Sequence, residues 1–295
     1  MTDRPWLSAD FSAAGTSEPL EPTEPGVTGH LVHDKQSERR WSKGRYDIIG
    51  EWLVPASLAC LDGLNLKGKR LLDVATGTGT VALAAAQGGA QVTALDIAEP
   101  WLTIAGARAN GAKLPLTCRK GSFHDLREFQ GFDLVTSAFG VMLSARPHQA
   151  MGELFRSVRP GGLVRITAWR PNSALGEIPD AIVGLTESLP QRADPTPWST
   201  KAGLEQLLSQ DTGQLLQVES RILWLKCSSV GVIARQLCRY SPPWIALFDR
   251  VAPSSKSDAL AALADHLQDF SERTPTGGMR LRLDYAVATL QRFRS

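Results

Sequence analysis

Two acids and a glycine-rich turn stand close together in the first half of the chain. Residues 71–79 read LLDVATGTG, an apolar run holding Asp73 and ending in Ala75-Thr76-Gly77-Thr78-Gly79, and the helical pattern VALAAA follows. Glycines there allow a tight turn and let backbone N–H groups at the helix start approach a ligand closely. Taken alone, Gly77-x-Gly79-x-x-Ala82 also satisfies the dinucleotide fingerprint, and a purely structural turn fits it as well. The flanking acids separate these readings. Asp73 would repel a pyrophosphate and attract a cation, and Asp96, closing the run QVTALD, is placed to accept hydrogen bonds from two ribose hydroxyls. The combination suits a ligand with a positively charged amino acid portion and a ribose.

S-adenosylmethionine is such a ligand, and the sequence resembles the class I S-adenosylmethionine-dependent methyltransferases, in the broad group that includes the ubiquinone and menaquinone biosynthesis enzymes. The resemblance runs from about residue 38 to 170. It is carried by Trp41-x-x-x-x-Tyr46, LLDVATGTGTVALAAA, VTALDIA, GFDLVTSAF and VRPGGLV. It implies that Asp73, Ala75, Gly77 and Gly79 wrap the methionine part of the cofactor. Asp96 would hold the ribose, with Ile97 beside the adenine, and Trp41 and Tyr46 would fold over the cofactor. Two departures are visible. The family's acid after the third strand is replaced by Ser122 and Phe123, a hydroxyl acceptor and a ring cover for the adenine. At the fourth strand, Ser137-Ala138-Phe139-Gly140 stands where enzymes acting on base amino groups carry Asn or Asp, two prolines and an aromatic. Ser137 and Phe139 are expected beside the cofactor, and a nucleic-acid acceptor is disfavoured.

Methyl transfer from a sulfonium is an in-line displacement, so the protein chiefly aligns the reactants and excludes water; orientation can supply roughly 7–11 kcal/mol of the barrier. A phenol, enol or carbon acid gains from a general base. His33 and His124 are the histidines expected near the carboxyl edge of the sheet, and Tyr240 falls in the segment CRYSPPW that could line an acceptor pocket. Each also reads as an ordinary structural residue. Trp198, Trp224, Trp244 and Phe248 fit either a hydrophobic acceptor pocket or a core.

The elements that must position these residues follow from periodicity. Apolar runs at 70–75, 90–96, 114–121, 132–138 and 163–169 read as strands, and 48–62, 81–87, 100–110 and 148–158 read as helices. Such alternation predicts an α/β fold: a doubly wound, mostly parallel, seven-stranded Rossmann-like sheet. Strands at 215–223 and 279–290 would complete it. Helical cap segments at roughly 172–200 and 224–278, with helices at 200–209 and 257–270, would be inserted after the fifth and sixth strands. The organisation expected is a disordered Pro- and Glu-rich tail at 1–29, a lid and helix at 30–62, a cofactor-binding core at 63–171, and cap plus last strands at 172–295.

Composition bounds the rest. With 43% hydrophobic and 21% charged residues the chain has ordinary globular usage, and a net charge of +2 gives no field to hold a polyanion. Four cysteines without a Cys-x-x-Cys pair argue against a disulfide scaffold or zinc site. No apolar run reaches the roughly 20 residues of a membrane span, and the first residues lack a secretory pattern, so a cytoplasmic location is the default. The expected partner is a small-molecule or peptide acceptor, with no nucleic acid and no metal, in a monomer or homodimer. The rival readings are a nicotinamide-dependent oxidoreductase, which Asp73 opposes, and a protein that binds the cofactor for a non-methylating reaction.

Overall fold

The computed structural model describes residues 28–186, 194–209, 212–275 and 277–294. The tail expected at 1–29 lies outside them as far as residue 27. The chain enters through α1 (Thr28–Trp41) and α2 (Tyr46–Leu58). It then alternates β1 (Arg70–Val74), α3 (Thr80–Gln87), β2 (Gln91–Asp96), α4 (Glu99–Gly111), β3 (Leu116–Lys120), β4 (Phe132–Ala138), α5 (Pro147–Ser157) and β5 (Val158–Trp169). The short helices α6 (Asp180–Val183) and α7 (Thr196–Ser199) and the helix α8 (Lys201–Leu207) precede β6 (Gly213–Cys227). The helices α9 (Val230–Tyr240), α10 (Pro242–Phe248) and α11 (Lys256–Asp269), with β7 (Ser271–Arg273), precede β8 (Met279–Arg292).

The sheet order is β3-β2-β1-β4-β5-β8-β6, with β7 pairing β8 off that path. The first five strands are parallel and β8 runs antiparallel between β5 and β6. This is the mostly parallel, doubly wound sheet expected, with the added short strand β7. The chain order reverses between β1 and β4, so a crevice opens above the carboxyl ends of these two strands. β1 is buried from Leu71 to Val74, because helices cover both faces of a parallel sheet. The small residues of α3, Ala82, Ala85 and Ala86, let that helix lie close on the strands.

Three features differ from the sequence reading. β5 begins at Val158, ahead of the strand expected at 163–169, and takes in Pro160-Gly161-Gly162 with Gly161 at φ +74°. The cap segment holds α9 and α10 besides the helix expected at 257–270, and Pro242 and Pro243 occupy the first turn of α10, where no backbone N–H is needed. β6 and β8 are also longer than expected. They pair from Gly213–Arg292 out to Cys227–Met279, well past Trp169 at the end of β5. This projecting ribbon and α2 carry α9, which buries Val230, Ile233, Ala234 and Leu237. The cap is thereby fixed over the crevice. Among the described residues no helix is long and apolar enough to cross a membrane, and no cluster of acids, histidines and cysteines could hold a metal ion.

Candidate functional site

The turn after β1 is built from three left-handed residues, Ala75 at φ +55°, Gly77 at +55° and Gly79 at +84°. Gly79 caps α3, and a Cβ there would lie 2.9 Å from that of Ala105 on α4. Gly77 faces the crevice instead, where a Cβ would stand 3.2 Å from Tyr46 Cε1. Ala75 is the one non-glycine of the three, and its methyl group is housed because position 140 has no side chain: a Cβ on Gly140 would meet Ala75 Cβ at 2.4 Å.

Both acids converge on this turn. Asp73 is 2% exposed and accepts hydrogen bonds from Thr76 Oγ1 at 2.6 Å and Thr136 Oγ1 at 2.7 Å. Burial pushes its carboxyl up to about 6, against the opposing pull of those two hydroxyls. Among the described residues no lysine or arginine forms an ion pair with it. Asp96 Oδ2 accepts from Gly77 N at 2.8 Å and Oδ1 from Ala98 N at 2.9 Å, which fixes the carboxylate at the crevice. Burial raises its pKa as well, opposed by the backbone N–H groups of Ala98, Gly77 and Ile97.

The junction of α1 and α2 packs over the turn through aromatic contacts. Trp41 meets Tyr46 edge-on with ring centroids 5.8 Å apart, Tyr46 lies 6.1 Å from Trp101, and Trp101 Nε1 donates to Trp41 O at 2.8 Å. Burial, helped by the Asp96 charge, pushes the Tyr46 phenol up to about 12, so it stays neutral. Phe139, at φ +57°, stacks on Trp169 at 4.2 Å. Trp101 and Trp169 were missed by the sequence reading. Each sits just beyond or at the carboxyl end of a strand, the signal by which strand-end logic could have found them.

A cavity of about 220 Å³ results, more than ten times the roughly 10–15 Å³ that one water needs. It joins two unlike regions. One holds Tyr46, Ala75, Gly77, Asp96, Ile97 and Ser122, with Trp41, Phe123, His124 and Phe139 also in the wall. The other is apolar, formed by Met142, Trp169, Leu175, Ile178, Trp244 and Leu247. A smaller pocket of about 30 Å³ adjoins the turn and is lined by Asp73, Thr76, Thr78 and Thr80.

The remaining expected residues take different places. Gly79 lies behind the turn. Ser137 is fully buried, donating to Val74 O at 2.8 Å and accepting from Val141 N at 3.1 Å, and so holds the strand ends together. His124 lies in the wall with Nε2 2.7 Å from Ser144 Oγ. Tyr240 is not in the wall: its carbonyl accepts from Arg45 N at 3.1 Å and anchors the start of α2. The side chain of His33, on α1, is outside the described residues. Trp244 lines the cavity, Trp198 is core, and Trp224 is exposed on β6 under the Arg280 guanidinium.

A Rossmann-like sheet with an acid at the end of β1, a left-handed glycine turn and an acid at the end of β2 is the arrangement this site presents. Residues 72–166 match a family model described as a methyltransferase domain. An uncharacterized protein of Mycobacterium tuberculosis is 36% identical over 162 residues, which cover 54% of this chain and 59% of that protein. A demethylmenaquinone methyltransferase of Thermus thermophilus is 39% identical over 106 residues, covering 35% of this chain and 48% of the relative. The chain thus spans between about half and three fifths of the curated relatives it matches. Among solved structures the cyclase SpnF superposes with a TM-score of 0.52 at 19% identity, over 82% of this chain and 81% of that one, a likeness of fold.

The raised carboxyl of Asp73 leads to a pH dependence. Because its folded value, about 6, lies above the ordinary 3.8, its contribution to stability is fully present below pH 3.8 and is lost as pH rises through 6. Above that the ligand-free protein carries a buried, uncompensated carboxylate at a cost of about 3 kcal/mol. A cationic ligand group offsets this cost. Affinity for S-adenosylhomocysteine should therefore rise between pH 5 and 7 and then level off, and Asp73→Asn should flatten the profile. Calorimetry across that range would detect it; a flat wild-type profile would separate Asp73 from the ligand.

Proposed function

We propose that the protein transfers a methyl group from S-adenosylmethionine to an apolar small molecule, in secondary or quinone-type metabolism. The observation that supports this most is the junction, in one cavity, of an acid-flanked nucleoside cradle with an apolar chamber under the cap. The residues fit the cofactor. Asp73 is a buried carboxylate with no cation partner among the described residues, and the space before Gly77 is one that a side chain would fill.

When bound, S-adenosylmethionine supplies an electrophilic methyl group on a sulfonium. Asp73 holds the ammonium, Asp96 accepts from the ribose hydroxyls, and Ser122 and Phe123 border the adenine. Trp41, Tyr46 and Trp101 exclude water from the reacting centre, which matters because alignment provides most of the rate in such a displacement. Among the described residues His124 borders the cavity, and the His124–Ser144 pair is the group we assign to take a proton from a hydroxyl or carbon acceptor.

The test is turnover. Purified protein incubated with a metabolite extract and methyl-labelled donor should give a labelled product and an equal amount of S-adenosylhomocysteine, read by mass spectrometry. A new product formed with the donor unchanged would favour a non-methylating reaction.

A further inference from the structure

A group of polar residues on α1 borders the cavity. Gln36, Ser37 and Arg40 share a helix face and all border the cavity, and Arg40 is the only lysine or arginine among its described lining residues. Neighbouring cations have acids at hand: Lys43 faces Asp249, Arg45 pairs with Asp47, Arg108 with Glu51, and Lys120 with Glu38 and Glu99. Arg40 has no carboxylate partner among the described residues. Its recorded charged neighbour is another cation, Arg250, and burial together with that like charge lowers the guanidinium's pKa. A half-buried cation without a carboxylate partner among the described residues keeps a positive potential at this point of the wall.

Its position separates it from the donor's charges. α1 packs against α10, whose Trp244 and Leu247 belong to the apolar chamber, whereas the donor's amino acid end is drawn to Asp73, Thr78 and Thr80 in the smaller pocket beside the turn. We infer that Arg40, with Ser37 and Gln36, receives a carboxylate carried by the methyl acceptor, so that the acceptor is an apolar molecule bearing one anionic end. A guanidinium suits this task, since it offers paired donors to a carboxylate and stays charged when partly desolvated. This inference rests on the reading of the cavity as a joint donor and acceptor site.

Matched probes test it without knowledge of the natural acceptor. With S-adenosylhomocysteine present, binding of 1-naphthoate and 1-naphthamide, and of octanoate and octanamide, is followed through the fluorescence of the cavity tryptophans. The wild type is expected to bind each carboxylate about tenfold or more tightly than its amide. Arg40→Gln should bring that ratio close to one, while Arg40→Lys keeps part of it, and S-adenosylhomocysteine affinity should be unchanged in both. Thermal melts establish that the variants fold. Equal binding, or no binding, of carboxylates and amides by the wild type would overturn the inference. A preference retained in Arg40→Gln would also overturn it, as would a loss of S-adenosylhomocysteine affinity in that variant, which would assign Arg40 to the donor. Failure of the wild type to bind S-adenosylhomocysteine at all would instead strike the proposed function.

Discussion

Gly77→Val is expected to weaken S-adenosylhomocysteine binding by more than about 100-fold while leaving the sheet folded. At φ +55° a β-branched residue is strained by about 1–3 kcal/mol, and its Cβ would already stand 3.2 Å from Tyr46 Cε1 before the branches are added. Those branches would enter the space assigned to the methionine portion. The Gly77 N–H also donates to Asp96 Oδ2 at 2.8 Å, so displacing the turn disturbs the acid that holds the ribose. The core strands β1 and β4 do not depend on this side of the turn, so the thermal transition should remain cooperative. Calorimetry and a melt together check both halves, and near-normal affinity would mean that the ligand lies elsewhere.

The second large effect is expected at Gly140→Ala. A Cβ there meets Ala75 Cβ at 2.4 Å and Ser137 Oγ at 2.9 Å, and neither can retreat easily because both belong to the closing ends of β1 and β4. Overpacking of this kind costs about 1–3 kcal/mol. The clash has a specific remedy. Ala75→Gly removes the opposing methyl and a left-handed alanine together, so the double variant should recover a large part of the stability and of the cofactor affinity lost by Gly140→Ala alone. A double-mutant cycle by denaturant titration should give a coupling of about 1–3 kcal/mol. Additive effects would show that the two positions do not share one space.

The cradle was legible in the sequence because its parts are local. Asp73, the glycine turn and Asp96 lie on one β–α–β unit, where an apolar strand, a glycine-rich turn and a small-residue helix follow in order, and the structure brings these residues together as the spacing implied. What stayed hidden depends on contacts between distant segments. Ala75 is accommodated by Gly140, a pairing that no local pattern encodes. The chamber gathers Trp169 at the end of β5, Leu175 and Ile178 beyond it and Trp244 and Leu247 of α10, and the PPWIALF segment of α10 has too few turns to show a helical period. Tyr240 was singled out as an aromatic in a cap segment, yet it lies at the end of α9, where its backbone anchors α2 and the next residues, Ser241, Pro243 and Trp244, reach the cavity. Arg40 adjoins Trp41 in sequence and is distinguished only by the absence of an acid partner among the described residues, a property of the folded arrangement.

The most direct test of the account is a calorimetric titration of the full chain with S-adenosylhomocysteine, S-adenosylmethionine, NAD and NADP. The acids at Asp73 and Asp96 and the cradle before Gly77 predict that each sulfur nucleoside binds at one site per chain and that neither dinucleotide competes for it. Binding of NAD or NADP at that site with comparable affinity, or no binding of the sulfur nucleosides, would contradict the assignment of the cavity to a methyl donor.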